Sequence, residues 1–217
     1  MNIKVCGVTS MKQLVQLDGM NVDFAGLVFN KLSPQYLDGR ITGEEMIAAD
    51  LDIRKVGIFS NASRNEIIDI AGVYGLDMIQ LEGDEPAEFC WELSKKLQVI
   101  KTFYINRSEA DSLEIMVNEF DEACDYYSFD SIVKKDFSGL ADQFDWTKLA
   151  NASIEKPFFL GGGIKPEDAE KLSSFRHPDF YGIDLNCYFE KEPGVKDMAS
   201  LLGFIHQVKK HSGNPAS

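Results

Sequence analysis

The chain has 217 residues, 44% hydrophobic and 26% charged, with a net charge of −13 from 22 basic and 35 acidic residues. That length fits one domain, large enough to bury about 70% of its unfolded-chain surface. The acidic balance repels phosphate backbones and excludes nucleic acid as an expected partner, and the apolar runs are too short to cross a membrane.

Short apolar runs recur in chain order, separated by stretches that read as helices. The first, residues 3–8, is β-branched and ends at Cys6, with Gly7 and then Thr9-Ser10 as the N-cap region of a helix. Runs 24–29, 55–59, 78–81, 99–105, 126–129, 157–160 and 181–185 follow, near-continuous as in parallel strands covered on both faces. Between them, Thr42-Gly43-Glu44-Glu45 and Ser63-Arg64-Asn65-Glu66 have capping-box form, and Pro86 and Pro166 suit first helical positions. Leu113, Met116, Val117 and Phe120 make one helical stripe, and Met198, Leu201, Leu202 and Ile205 another. Eight strand–helix units predict a (β/α)8 TIM barrel over residues 1–210, with 211–217 as a flexible tail; a doubly wound sheet would seldom carry so many. Longer loops are expected at 30–39 and 131–145.

Cys6, Cys90, Cys124 and Cys187 are widely spaced with no CxxC pair, and Met1-Asn2-Ile3-Lys4 leads directly into a strand. Free thiols and a cytoplasmic location are the expectation. His177, His206 and His211 lack ligand spacing, so no metal is expected.

In a barrel the chemistry gathers at the carboxyl ends of the strands. Those ends offer Cys6, the loop holding Lys31 and Gln35, Gln80 with Glu82, Asp130, Gly161-Gly162-Gly163, and Asp184 with Asn186. A thiolate can serve as base and a desolvated carboxyl as acid, which singles out Cys6 and Asp130. The plain alternatives are a packing thiol and a loop-bonding Asp. The glycines precede a helix start at Lys165-Pro166-Glu167, an arrangement that suits a phosphate through backbone N–H groups. Asp184 reads equally well as a structural acceptor for loop N–H groups. Cys90 and Cys124 lie away from strand ends and read as packing residues. Lys101, in the fifth run, could form a Schiff base, although a strand lysine is more often an ion-pair partner.

Lys4-Val5-Cys6-Gly7-Val8-Thr9, Lys31-Leu32-Ser33-Pro34, Val56-Gly57-Ile58-Phe59 with Asn61, Gln80-Leu81-Glu82-Gly83-Asp84-Glu85, Phe129-Asp130, Phe144-Asp145-Trp146, Leu160-Gly161-Gly162-Gly163-Ile164, Gly182-Ile183-Asp184-Leu185-Asn186, and Phe189-Glu190 with Pro193-Gly194-Val195-Lys196-Asp197 stand in order. As a set they resemble the phosphoribosylanthranilate isomerases of tryptophan biosynthesis over nearly the whole chain. The resemblance implies a cofactor-free Amadori rearrangement of a small phosphorylated sugar substrate, with Cys6 as general base and Asp130 as general acid, in a monomer or homodimer. It also points to Lys31, Gln35, Gln80, Gly162, Gly163, Asp184 and Asn186 as substrate-binding positions.

Four positions depart from that family's pattern. Gln35 stands where an Arg holds the ring carboxylate, a loss of ~1.5–3 kcal/mol if uncompensated. Glu82 replaces a His, Leu140 lies in a loop after the sixth strand that keeps one glycine, and Cys187 replaces part of a serine-rich phosphate turn. The changes fall on binding positions while the acid and base remain. The alternative is a barrel paralogue that binds a phosphorylated sugar with little or no isomerase activity.

Overall fold

The first apolar run forms β1 (Asn2–Val5), and the Ser10 hydroxyl caps α1 (Met11–Gly19) by accepting the Gln13 N–H. The unit then repeats as β2 (Phe24–Val28) and α2 (Gly43–Ala48), β3 (Arg54–Phe59) and α3 (Arg64–Tyr74), and β4 (Met78–Leu81) and α4 (Ala87–Ser94). It continues as β5 (Gln98–Ile105) and α5 (Leu113–Asn118), β6 (Tyr126–Ser131) and α6 (Trp146–Asn151), β7 (Phe158–Leu160) and α7 (Ala169–Ser174), and β8 (Phe180–Leu185) and α8 (Met198–Ser212). The eight strands close into a barrel in sequence order, with β1 pairing parallel to β8. This computed structural model describes residues 1–37, 39–105, 113–131 and 143–212.

The near-continuous apolar runs resolve into two faces by strand alternation. In β6, Tyr127 and Phe129 point outward into the sleeve between sheet and helices, while Tyr126 points inward. Inward residues near the strand starts, Phe24, Val56, Met78, Ile100 and Phe159, form an interior plug joined by Tyr126 and Tyr181. Phe24 meets Phe159 edge to face at 5.4 Å between centroids, the arrangement favoured by opposed ring quadrupoles. One pleat further along, the inward positions Gln80, Thr102 and Ser128 are polar and buried. The barrel is therefore sealed at its N-terminal end and polar toward its C-terminal mouth.

Local signals are mostly realised. Thr42 and Glu45 form the reciprocal capping box of α2, and Ser63 caps α3 through the Glu66 N–H. Pro86 is the N-cap of α4, not its first helical residue: its ψ of 161° is extended, so the helix begins one residue later. On α8 the buried stripe is Leu201, Phe204, Ile205 and Val208, and Leu202 is 38% exposed. Apolar residues at 201, 202, 204 and 205 fit the helical period in two phases, and only packing against the barrel selects one. α8 continues two residues into the expected tail; residues 213–217 lie outside the described residues, as do 132–142 with Gly139 and Leu140. A short antiparallel hairpin, β9 (Glu190–Glu192) and β10 (Val195–Lys196), follows β8 and was not expected; its strands are too short to leave a periodic signal.

Candidate active site

Cys6 lies one residue beyond β1 and two beyond Lys4, so strand alternation turns both side chains into the barrel. Lys4 is fully buried. Its ammonium donates to Asp184 Oδ2 at 2.5 Å and to Cys6 Sγ at 2.7 Å, and the thiol faces the same Oδ2 at 3.3 Å. The contact follows from register, since Lys4 and Asp184 are opposite partners in the β1–β8 ladder. Gly26 makes room for the sulfur: a Cβ there would sit 2.6 Å from Sγ.

Burial alone would push the Lys4 ammonium toward neutrality, but the Asp184 carboxylate and the Cys6 sulfur outweigh it and hold its pKa above the usual lysine range. Burial pushes the Cys6 thiol well up, and the Asp184 carboxylate pushes it further, against the opposing pull of Lys4. Asp184 keeps its second oxygen, Oδ1, buried without a hydrogen-bond partner.

Cys6, Asp184, Asp130 and Glu82 line one pocket of about 530 Å³, part of it open to solvent, together with Gly162, Gly163, Asn186 and Cys187. The Asp130 carboxyl is pushed up to about 7, by burial first and by the charge of Asp184 second, while the Ser131 N–H bond at 2.6 Å resists. Glu82 is likewise raised to about 7, by burial and then by Asp130, with a bond from Gln80 Nε2 at 2.9 Å opposing. The pocket thus holds two carboxyls poised to exchange protons near neutral pH and a thiol, with the buried Lys4 ammonium behind the thiol and outside the pocket lining.

At the rim, Gly162 and Gly163 both adopt left-handed backbone, with φ of 74° and 73°. A Cβ on Gly162 would lie 2.5 Å from both the N and the Oγ of Ser131, so no larger residue fits between β7 and β6 there. The helix start expected after them is a 3-10 turn, Pro166–Asp168, closed by the Lys165 N–H on the Asp168 carboxylate at 2.8 Å.

Of the residues singled out from sequence, the pocket brings together Cys6, Asp130, Gly162, Gly163, Asp184 and Asn186. Gln35, Lys31 and Gln80 are not among its lining residues. Gln35 is buried and its amide donates to Asn186 Oδ1 at 2.6 Å and Glu190 Oε1 at 2.8 Å. Lys196 donates to the same two atoms, at 2.9 and 2.7 Å, which ties the β9–β10 hairpin to the mouth. Lys31 is exposed on the loop after β2. Gln80 sits one pleat below Glu82 and orients it. Sequence reading passed over Lys4 as a site residue; a lysine two positions before a strand-end cysteine was the available signal, because equal parity puts both on one face. Among the described residues, no group of His, Cys, Asp and Glu could hold a metal ion.

Lys101 is an ion-pair partner. Its neighbour Ile100 faces the interior, so Lys101 points outward, where its ammonium donates to the Gly83 carbonyl at 2.6 Å and to Glu85 Oε2 at 2.9 Å. Both side chains are at most 5% exposed. Lys101→Met would leave Glu85 buried and unpaired. It is expected to cost about 3–5 kcal/mol in denaturant unfolding, with turnover per folded molecule retained. A borohydride-trapped carbonyl adduct on Lys101 would contradict the structural role.

Residues 3–207 match the family described as N-(5'phosphoribosyl)anthranilate (PRA) isomerase. The N-(5'-phosphoribosyl)anthranilate isomerase of Parabacteroides distasonis is 36% identical over 210 residues, covering 96% of this chain and 93% of its own. That of Phocaeicola vulgatus is 33% identical over 212 residues, covering 97% and 98%. Among solved structures, monomers generated from the dimeric phosphoribosylanthranilate isomerase of Thermotoga maritima superpose with a TM-score of 0.77 at 25% identity, covering 97% of this chain and 99% of theirs.

Proposed function

This chain belongs to the N-(5'-phosphoribosyl)anthranilate isomerase family, and we propose that it carries out that isomerisation with Asp130 as general acid and Cys6 as general base. The reaction converts N-(5-phosphoribosyl)anthranilate into 1-(2-carboxyphenylamino)-1-deoxyribulose 5-phosphate in tryptophan biosynthesis. One observation carries the assignment of roles: the Cys6 thiol and the Asp130 carboxyl line the same pocket at the C-terminal mouth.

The steps follow from the chemistry of those two groups. Asp130, protonated up to about pH 7, gives its proton to the furanose ring oxygen. The C1′–O bond breaks, the ring oxygen becomes a hydroxyl, and the anilino nitrogen holds the resulting Schiff base. Cys6 as thiolate removes the C2′ proton, and the electron pair moves to form the enolamine. Tautomerisation then gives the ketone. Each step is a proton transfer that a positioned side chain accelerates.

Gly162, Gly163 and the turn at Asn186 and Cys187 are the proposed phosphate contacts. Gln35, already shared between Asn186 and Glu190, contributes to ring-carboxylate recognition indirectly, by holding the mouth. Glu82 at its raised pKa of about 7 adds a donor, not a full charge, below neutrality, which limits its repulsion of an anionic substrate. All four cysteines are free, which supports a reducing compartment such as the cytoplasm. The relative from Thermotoga maritima is described as dimeric; for this chain, monomer and homodimer are both compatible with a pocket lined by one chain.

The test is direct. Purified protein given freshly made phosphoribosylanthranilate should consume it, followed by loss of substrate fluorescence. A thermal shift with phosphosugars but no turnover would instead identify a binding barrel.

A further inference from the structure

Lys4 has no part in the acid–base scheme, yet it is fully buried with its ammonium shared between the proposed base and a second carboxylate. A buried ammonium is costly unless its partners are well placed. Here Lys4 and Asp184 are register partners on adjacent strands, and Cys6 follows directly after β1 with its N–H on the Leu185 carbonyl at 2.9 Å, so the backbone fixes the three separations. Three side chains hold one cation and two acids, and only one of the acids can be ionised if the cluster is to be neutral.

We propose that Lys4 is the positioning residue of the isomerisation: its fixed ammonium bridges Cys6 Sγ and Asp184 Oδ2, and keeps a cation on the sulfur so that a thiolate can form there beside the opposing carboxylate. The proposal rests on the reading of Cys6 as the base. In the resting arrangement the thiol is neutral and Asp184 carries the negative charge opposite Lys4. For the step, the S–H bond breaks and its proton passes to water in the solvent-open part of the pocket that Cys6 lines, while Lys4 keeps all its protons and pairs with the thiolate at 2.7 Å.

The other ionisable groups around the sulfur are acidic: Glu82 after β4, Asp130 in β6 and Tyr104 in β5. Among the described residues Lys4 is the only cation hydrogen-bonded to it. Each neighbouring acid disfavours a thiolate, so without Lys4 nothing in contact with the sulfur offsets them.

The experiment reads the thiol itself. The rate of Cys6 alkylation by iodoacetamide is followed from pH 6 to 10 by mass spectrometry of the Cys6 peptide, in wild type, Lys4→Met and Asp184→Asn. Loss of the cation should move the profile to higher pH and slow alkylation at pH 8 by at least ~10-fold, as for a shift of one pKa unit or more. Loss of the carboxylate should move the profile the other way. A general loosening of the site would shift both variants in the same direction and overturn the proposal, as would an unchanged profile in Lys4→Met. If Lys4→Met does not fold, Asp184→Asn decides alone, and a profile unchanged or moved to higher pH overturns it. No substrate enters this measurement. The isomerase reading fails separately, through absent wild-type turnover, and the role of Lys4 fails through the alkylation profiles.

Discussion

Cys6→Ser is expected to lower kcat/KM for phosphoribosylanthranilate by ~10³–10⁴-fold, about 4–5 kcal/mol of transition-state stabilisation. A serine hydroxyl fits the same space and can keep hydrogen bonds to Lys4 and Asp184, but its alkoxide lies far out of reach at neutral pH. The thiol sits in a small apolar contact with Val28 and Ile58, so the exchange should leave the melting temperature within a few degrees of wild type. The loss must therefore fall on chemistry and not on folding, and circular dichroism alongside the fluorescence assay separates the two. Turnover within 10-fold of wild type would remove Cys6 as the base.

Asp130→Asn is the second large effect, and its sign differs between activity and stability. The amide keeps the shape but has no acidic proton, so turnover should fall by ~10²–10⁴-fold. With Asp130 as the proposed acid its protonated form is the one that works, so kcat/KM is expected to decline as pH rises through about 7, where the carboxyl ionises. Stability follows from the same shift. The folded pKa stands above the ordinary value of 3.8, so folding takes up a proton between those limits. Stability is therefore greatest at low pH within that window and falls as pH rises toward 7. At pH 8 wild type keeps a desolvated carboxylate beside Asp184, and Asp130→Asn does not. The variant should melt higher than wild type at pH 8, and the difference should shrink steadily as pH falls toward 3.8. Glu82→Gln should behave in the same way in melting, since its carboxyl is raised from 4.5 to about 7 for the same reasons. A lower melting temperature for Asp130→Asn at pH 8 would show that the carboxylate holds the mouth together instead of straining it.

Both effects concern a site that costs the fold something. A buried ammonium, a neutral thiol and three carboxyls occupy the end of a barrel whose other end is an aromatic plug. The plug and the outer sleeve stabilise the fold, and the mouth draws on that stability to keep ionisable groups dry. Cys90 and Cys124 belong to the sleeve, both buried within its apolar cluster, where burial is the largest influence on each thiol and Lys101 with Glu85, or Lys156 with Asp125, act only secondarily.

The barrel was legible in the chain itself because period and punctuation are local properties. Eight apolar runs separated by capped helices leave little choice of architecture, and the cysteine and aspartate at strand ends follow from the same count. The caps at Ser10, Thr42 and Ser63 could be read because a cap and its N–H partner lie three residues apart. What sequence could not decide was which residues meet across the barrel. Lys4 and Asp184 are 180 positions apart and touch only because the last strand closes on the first in register. Gln35 illustrates the opposite outcome: it occupies the position expected to face substrate, yet the structure joins it to Asn186 and Glu190, 151 and 155 residues away. Alternation along a strand depends on neighbours in sequence, but the charge state of a buried group depends on neighbours in space, and only closure of the barrel supplies those.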